Sequence, residues 1–548
     1  MWINRPTPVT SCTEKQPISI SVMSKKDEFQ DHIINGYNFK SDSIVLGTAM
    51  LDGEAIPSTP VKAALRTFNR HGLIAGATGT GKTKTLQNIA ERLSENGVPT
   101  LLMDIKGDLT GLAKASDGHP KIDERHKLIG TPWKASAYPV ELLSLSNEPG
   151  ARMRATVSEF GPVLFSKILG VNDTQSGVIS LVFKYCDDND LALLDLKDFR
   201  KALQYLNGEG KAEITGEYGS ISPASVGAIL RKIVEIEAQD AELFFGERSF
   251  DVDDLLRMDD NGKGFINILR LTDIQNKPKL FSTFMLSLLA EVYGAFPEVG
   301  DKAGPKLVIF IDEAHLIFKE ASKALLSQIE SIIKLIRSKG VGIFFVTQLP
   351  TDIPDEVLSQ LGMKVQHALR AFTAKDRKAI KLTAENYPIT PYYDTADALT
   401  NLGIGEALIT VLNEKGIPSP LVHTLLTAPS SRMDILTLGE LRELVDESTL
   451  IPKYNIDVDR ESAYEILAAK MEAAKKLAEK EQAKALKEKE RAKEEKERAS
   501  KSRSRSSSSR TSSRRRKKSV VEEIVGSRAT QTLIRELTRG LLGILSKR

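Results

Sequence analysis

Eight consecutive residues constrain this chain more than anything else in it: Gly76-Ala77-Thr78-Gly79-Thr80-Gly81-Lys82-Thr83. The short apolar run Gly72–Ala75 precedes them, and an amphipathic stretch from Thr83 to about Leu93 follows. A strand, a glycine-rich turn closing on Lys-Thr and a helix, in that order, form a phosphate cradle. The glycines let backbone N–H groups curl around phosphate oxygens, and the helix N-terminus adds partial positive charge. Lys82 is expected to neutralise the β- and γ-phosphates, Thr83 to hold Mg²⁺ through its hydroxyl, and Gly76 to Lys84 to form the binding loop.

Further apolar runs bounded by turn residues recur at Thr100–Asp104, Gly264–Leu269, Leu307–Ile311 and Gly342–Val346. Near-continuous apolar strands separated by helical stretches predict an α/β fold with a mostly parallel sheet buried on both faces. Val365–Ala371, Glu406–Leu412 and Val422–Leu426 are expected to extend it.

The run Leu307–Ile311 delivers Asp312 and Glu313 to the end of a strand where open parallel sheets bind ligands. Asp312 is expected to hold Mg²⁺ through its water shell, and Glu313 to orient and polarise an attacking water. Phe344–Val346 leads into Thr347-Gln348, where Gln348 senses the γ-phosphate or orients water, or else only satisfies loop backbone. These strand ends point to the branch of phosphate-loop enzymes with a catalytic glutamate and an extra central strand. The continuation to His315 invites a DEAH-box helicase comparison, but the two-lobe motif series is missing elsewhere. Arg337 closes the helix predicted over Ser327 to Lys339. It is either a finger for a neighbouring subunit's γ-phosphate or a cation favoured by the helix dipole. Arg70 and Arg432 are weaker arginine candidates.

The remaining sequence divides by composition. Residues 1–44 read as a flexible N-terminus, with Met23 an alternative start. Residues 45–144 and 261–462 are the two parts of the core, and 145–260 a mainly helical insertion. Residues 463–519 join a charged, solvated helix to a disordered Arg/Ser tract. Residues 520–548 are an amphipathic helix with Leu533, Leu537, Leu541 and Ile544 on one face. The formal net charge of +3 hides a cancellation: residues 501–518 carry nine Lys/Arg and no acid, whereas residues 1–464 carry 51 Lys/Arg against 61 Asp/Glu, a net of −10. An acidic body argues against a broad nucleic-acid-binding face, and the basic tail is where a nucleic acid or other polyanion would be held. Two cysteines, Cys12 and Cys186, exclude a disulfide framework, and no apolar run is long enough for a membrane span, so a cytoplasmic location is expected.

Asn69 to Thr83, Asp104-Ile-Lys-Gly-Asp-Leu109, Ile311-Asp-Glu-Ala-His315, Arg337 to Gly342 and Thr347 to Pro354 together resemble the bacterial YjgR group, in the HerA-like branch of the HerA–FtsK ATPases. The resemblance runs from about Val45 to Ser431 and resumes at Arg535–Leu545. It implies a RecA-like core, ATP as the nucleotide, a homo-oligomeric ring (a hexamer) and ATP-driven translocation on double-stranded DNA. It also implies Arg337 as a finger acting in trans and Arg70 as a second arginine at the nucleotide. HerA translocases carry an N-terminal β-barrel that docks a nuclease. Fewer than about 50 residues separate Met23 from the phosphate-loop strand, too few for that barrel. An ATP-gated assembly factor that never translocates is the alternative function.

Overall fold

The apolar runs pair into one twelve-stranded sheet in the computed structural model, which describes residues 24–274, 277–300, 304–319 and 323–504. In chain order the strands are β1 (Ser43–Leu51), β2 (Glu54–Ala64), β3 (Gly72–Ala75), β4 (Thr100–Asp104), β5 (Val140–Ser144), β6 (Ala151–Arg152), β7 (Ile266–Arg270), β8 (Leu307–Ile311), β9 (Val341–Thr347), β10 (Met363–Gln366), β11 (Glu406–Thr410) and β12 (Val422–Leu426). Their lateral order is β2-β1-β12-β11-β10-β3-β9-β8-β4-β7-β5-β6. Pairing is parallel from β10 through to β6 and antiparallel from β2 to β10. The predicted mixed α/β fold with a mostly parallel sheet is therefore present.

The central parallel strands β3, β8 and β9 are nearly continuous in apolar residues because both faces are covered. Alternate residues point to opposite sides. Ile74, Leu102, Phe310 and Phe344 join one core with Leu86, Ile89 and Leu93 of the helix Lys82–Glu95. Leu73, Leu101, Ile309 and Phe345 join the other, with Phe284, Ile333 and the helices of residues 157–237. Those helices are Val157–Leu169, Asp173–Asp188, Leu196–Asn207, Lys211–Glu217 and Pro223–Glu237. Reciprocal capping boxes start three of them, at Thr156/Glu159, Asn172/Gln175 and Asp195/Asp198. Phe165, Phe183, Phe199 and Phe245 meet between them, the Phe165 and Phe199 rings 4.8 Å apart.

Two segments differ from expectation. Residues 24–44, read as part of a flexible N-terminus, fold into the helix Lys25–Gly36, capped by Ser24 and Asp27, and lead into β1. Phe29 and Ile33, one helical turn apart, are fully buried, and two apolar residues give too short a pattern to register in sequence. The charged helix Ala463–Ser504 is exposed over most of its length, but its first turns are not. Ala463 and Leu467 are fully buried, and Asp198 accepts from Ser462 Oγ and the Tyr464 N–H. The rest of the Arg/Ser tract and the terminal segment with Leu533 and Leu537 lie outside the described residues. No described helix is long and apolar enough to cross a membrane.

His71 pins the core at the end of β3 opposite the phosphate loop. Its Nδ1 accepts from the Ile343 N–H at 3.0 Å and its Nε2 lies 2.8 Å from the Ile333 carbonyl, which assigns the Nε2–H tautomer. Burial pushes its pKa from 6.5 down to about 4, and burial does the same to His367. Above pH 6.5 both imidazoles are neutral in the folded and unfolded chain, and they cost nothing. As pH falls below 6.5 only the unfolded chain takes up these protons, so stability drops until about pH 4. Moving from pH 7.5 to pH 5 is expected to remove about 2 kcal/mol per histidine. Urea midpoints at the two pH values test this: His71→Gln should flatten the dependence, and an unchanged slope would refute the assignment.

Candidate phosphate-loop active site

The site is built where β10, β3, β9, β8 and β4, five adjacent parallel strands, end. After β3 the chain turns through Gly76 (φ 153°), Gly79 (φ 78°) and Gly81 (φ 111°). A side chain at Gly76 would place its Cβ 2.5 Å from that of His367, so only glycine allows this approach. The Gly76 N–H donates to the Thr347 carbonyl at 3.2 Å and the Ala77 N–H to Ala368 at 2.8 Å, anchoring the loop to the ends of β9 and β10. Gly81 stands at the N-cap of the helix Lys82–Glu95, and no side chain caps that helix. Its first-turn N–H groups therefore have no intrahelical partner. Thr78 and Gly79 at the loop tip are exposed. Lys82 folds over the loop, its Nζ donating to Gly76 O at 2.7 Å and Ala77 O at 3.1 Å. Burial and the neighbouring Lys106 charge lower its pKa, against the pull of Glu313 and Asp312.

Asp312 and Glu313 follow β8 directly. Asp312 is buried, and its Oδ1 accepts the Glu313 N–H at 2.9 Å. Glu313 has φ 45°, a left-handed conformation for a non-glycine residue that costs about 1–3 kcal/mol. The bend turns its carboxylate toward Lys106, whose Nζ lies 2.7 Å from Glu313 Oε1 and 3.3 Å from Asp312 Oδ2. His315 Nδ1 stands 3.2 Å from Glu313 Oε2. Burial alone would raise the Glu313 pKa, but the Lys106 hydrogen bond and charge, with His315 and Lys82, leave it below the ordinary value. For Asp312 burial wins, with help from Glu313, and its pKa is raised despite Lys106. Glu313 is thereby held ionised, as an acceptor of a water proton must be.

Lys106 owes its position to a turn. Asp104, at the end of β4, accepts the N–H groups of Gly107, Asp108 and Leu109 at 2.7, 3.2 and 3.1 Å. Burial, with Asp108, pushes the Asp104 pKa up to about 6. Asp104 therefore shapes the Lys-Gly-Asp turn, and Lys106 is the residue that enters the site.

The other candidates are spread more widely. Gln348 follows β9, the strand between the phosphate-loop strand and the Asp-Glu strand, and is exposed. Lys84 Nζ donates to Gln87 Oε1 at 3.2 Å and to the Met433 carbonyl, at the edge of the loop. Arg337 is exposed at the opposite end of β9, whose seven residues span about 23 Å. Arg70 likewise precedes β3, its guanidinium against the turn at Gly416. Neither lies beside this chain's own loop. Arg432 pairs with Glu440 at 2.9 Å.

Three contacts escaped the sequence reading: Lys106 on the acidic pair, His367 beneath the loop with Nε2 2.9 Å from Thr85 Oγ1, and a strap of residues 427–433. Gln87, Asn88 and Glu91, on the helix that follows the loop, grip that strap. They bond Ser431 Oγ, Thr427 O and the Ser430 and Ser431 N–H groups at 2.7, 3.1, 2.7 and 3.0 Å. A carboxylate at Glu91 among Leu86, Ile89, Ala90 and Leu93 was the one available sequence hint.

No cluster of three or more His, Cys, Asp or Glu among the described residues forms a metal cage. Mg²⁺ at a nucleotide needs none, since it takes one or two protein oxygens and completes its shell with phosphate and water. The Thr83 hydroxyl and the buried Asp312 carboxylate suit that donor set.

Neighbouring strands thus end in a phosphate loop with its lysine, a Thr-Gln pair and an Asp-Glu pair, the arrangement of a phosphate-loop nucleoside triphosphatase. The chain belongs to the HerA-like ATPases: the family described as "Helicase HerA-like C-terminal" matches residues 50–548. It is 24% identical over 359 residues to the DNA double-strand break repair helicase HerA of Sulfolobus acidocaldarius, covering 64% of each chain. It is also 24% identical over 357 residues to that of Saccharolobus solfataricus, covering 64% of this chain and 63% of the relative. The match spans less than two thirds of either relative. Among solved structures it is similar to the bacterial conjugative coupling protein TrwB (14% identity, TM-score 0.47, 74% of this chain and 95% of that one). VirB4 of Thermoanaerobacter pseudethanolicus is another such structure (17% identity, TM-score 0.46, 72% and 98%).

Proposed function

We propose that this protein is a Mg²⁺-dependent ATP hydrolase that works as a ring, a hexamer, and couples turnover to movement along double-stranded DNA. Glu313 holds and polarises the water that attacks the γ-phosphorus in line, and takes its proton. Lys82 and the uncapped helix N-terminus stabilise charge on the phosphates, and Gln348 orients the water or the γ-phosphate. Mg²⁺, held by Thr83 and Asp312, would supply further charge neutralisation. Lys106 positions Glu313 through their 2.7 Å contact.

One observation supports the ring: Arg337 is exposed at the end of β9 away from this chain's own loop, so a nucleotide that it serves belongs to a neighbouring copy. Arg70, which precedes β3 at the same end of the sheet, is proposed to assist it. Mixing Glu313→Gln with Arg337→Ala subunits tests this. In a trans arrangement an Arg337→Ala chain next to a Glu313→Gln chain regains one native site, so the mixture should exceed both parents. Activity no higher than the sum of the parents would mean that the arginine acts in cis or not at all.

Membership of the HerA-like family and the name of the helicase relatives support DNA as the track. Basal ATPase measured with and without linear duplex, across a salt titration, separates a motor from an ATP-gated assembly factor. A motor should be stimulated, with stimulation falling as salt rises. Normal basal hydrolysis with no response to any DNA would sink the motor. The Arg/Ser tract is proposed as a separate tether: removing residues 501–518 should remove the non-specific, salt-sensitive part of nucleic-acid binding and spare basal turnover.

A further inference from the structure

Residues 370–381 run against the charge of the body around them. Arg370, Lys375, Arg377, Lys378 and Lys381 stand against the single acid Asp376, a net of +4 where residues 1–464 together carry −10. All five cations are exposed. The segment leaves the end of β10, where the Ala368 carbonyl anchors the phosphate loop, and enters the helix Ala374–Glu385. Ile380 and Thr383 form the buried side of that helix. Arg377, Lys378 and Lys381 share the other side, with Glu385 at its far end. Among the described residues no carboxylate forms an ion pair with any of the five, and only Arg370 has a side-chain hydrogen bond, to the Thr400 carbonyl at 3.3 Å. The acids of two segments packed against the helix are engaged locally. Asp352 accepts from Thr347 and Leu349, Asp394 from the Asp397 N–H, and Asp397 from Asn401.

Phe372 stands 86% exposed at the head of this basic face. The helix cap sets its place: Asp376 Oδ2 accepts the Phe372 and Thr373 N–H groups at 3.0 and 2.8 Å, and Thr373 Oγ1 accepts the Asp376 N–H at 3.2 Å. A hydrophobic residue just before an N-cap ordinarily packs on the fourth helical residue, and here that residue is Arg377. A formed cap therefore holds an aromatic ring out in water among cations.

We propose that Phe372 and the basic face behind it bind a single nucleic-acid strand, an unpaired base stacked on the ring and the flanking phosphates on cations such as Arg377 and Lys381. The inference goes beyond the duplex track proposed above and does not depend on it. Cations alone would hold any polyanion; the open ring is what selects the strand. In a duplex the bases are stacked on one another and offer a protein only their edges, so the ring finds a free face only on an unpaired base. Charge along the backbone and an aromatic platform for the bases are the two parts that single-strand sites combine, and the platform accepts any base because every base has a flat face.

The test uses the full-length chain and oligo(dT) of about 12 nucleotides, within the site sizes of single-strand binders, carrying one photoreactive 4-thiothymidine. Parallel arms use oligo(rU) with 4-thiouridine and a duplex of equal length with the same thiothymidine. Crosslinking at the tryptic peptide 371–375, followed against ligand concentration, reads affinity at Phe372 apart from that of the Arg/Ser tract. The single strand should label this peptide. Phe372→Ala should raise its half-saturating concentration about tenfold, and Phe372→Trp should restore it. Duplex labelling of the same peptide should change by less than about twofold, since no stacking is lost. Arg377→Gln/Lys381→Gln should make the slope of log affinity against log salt shallower by about 1.4, at about 0.7 per phosphate contact. Labelling confined to residues 501–518 would overturn the site. A Phe372→Ala chain that binds the strand as wild type does, or loses strand and duplex equally, would overturn the stacking. Tighter oligo(dT) identifies a DNA strand as the occupant and tighter oligo(rU) an RNA strand, and either supports the platform. Basal ATP hydrolysis by Phe372→Ala should match wild type, so failure of this site and failure of the motor are read separately.

Discussion

Glu313→Gln is expected to lower kcat for ATP by about 10³-fold while ATP affinity stays within about threefold. The amide keeps the size of the carboxylate and an oxygen for Lys106, so the turn after β8 and its φ of 45° are retained. It loses the ability to take a proton from water. It also removes one of the two negative charges that hold Lys106, which leaves that ammonium to Asp312 at 3.3 Å. Phosphate release and equilibrium nucleotide binding, measured on the same preparation, separate the two effects. A kcat within tenfold of wild type would remove Glu313 from the base role and leave His315 to be tested.

Lys82→Ala acts on a different quantity. It should lower kcat/KM by about 10³-fold or more, with weaker binding accounting for part of the loss, because Lys82 meets charge on the bound phosphates as well as charge that develops during transfer. Among the described residues its Nζ bonds only to the Gly76 and Ala77 carbonyls of its own loop. Its removal should therefore leave the fold in place and the unliganded melting temperature nearly unchanged. The discriminating measurement is thermal stabilisation by nucleotide. Saturating ATP should raise the melting temperature of wild type and of Glu313→Gln, since a ligand stabilises the state that binds it, and should leave Lys82→Ala unmoved. Stabilisation of Lys82→Ala equal to wild type would mean that the phosphates lie elsewhere.

The strands were legible to the extent that their burial is uniform. Leu307–Ile311 is apolar at every position because helices cover both faces of β8. The helix Lys25–Gly36 was not legible, because Phe29 and Ile33 offer a single turn of pattern amid polar residues. The start of the helix Ala463–Ser504 was missed for a related reason. Ala463 and Leu467 dock against the insertion through a polar anchor, Asp198, that has no periodic signature.

The eight residues Gly76–Thr83 carried the phosphate chemistry by themselves, because cradle, lysine and helix start are consecutive and their geometry is set by local backbone sterics. Asp312 and Glu313 were also placed by local pattern, as carboxylates at the end of a buried strand. Tertiary structure alone decided that β9 enters between β3 and β8, and that Lys106 crosses to the acidic pair, 206 residues away from Asp312. It alone carried Ser430 and Ser431 across the phosphate-loop helix to Glu91, 339 and 340 residues apart. Such contacts leave no spacing to read. They form because burying each polar group requires a partner, and the fold, not the chain order, determines which partner is within reach.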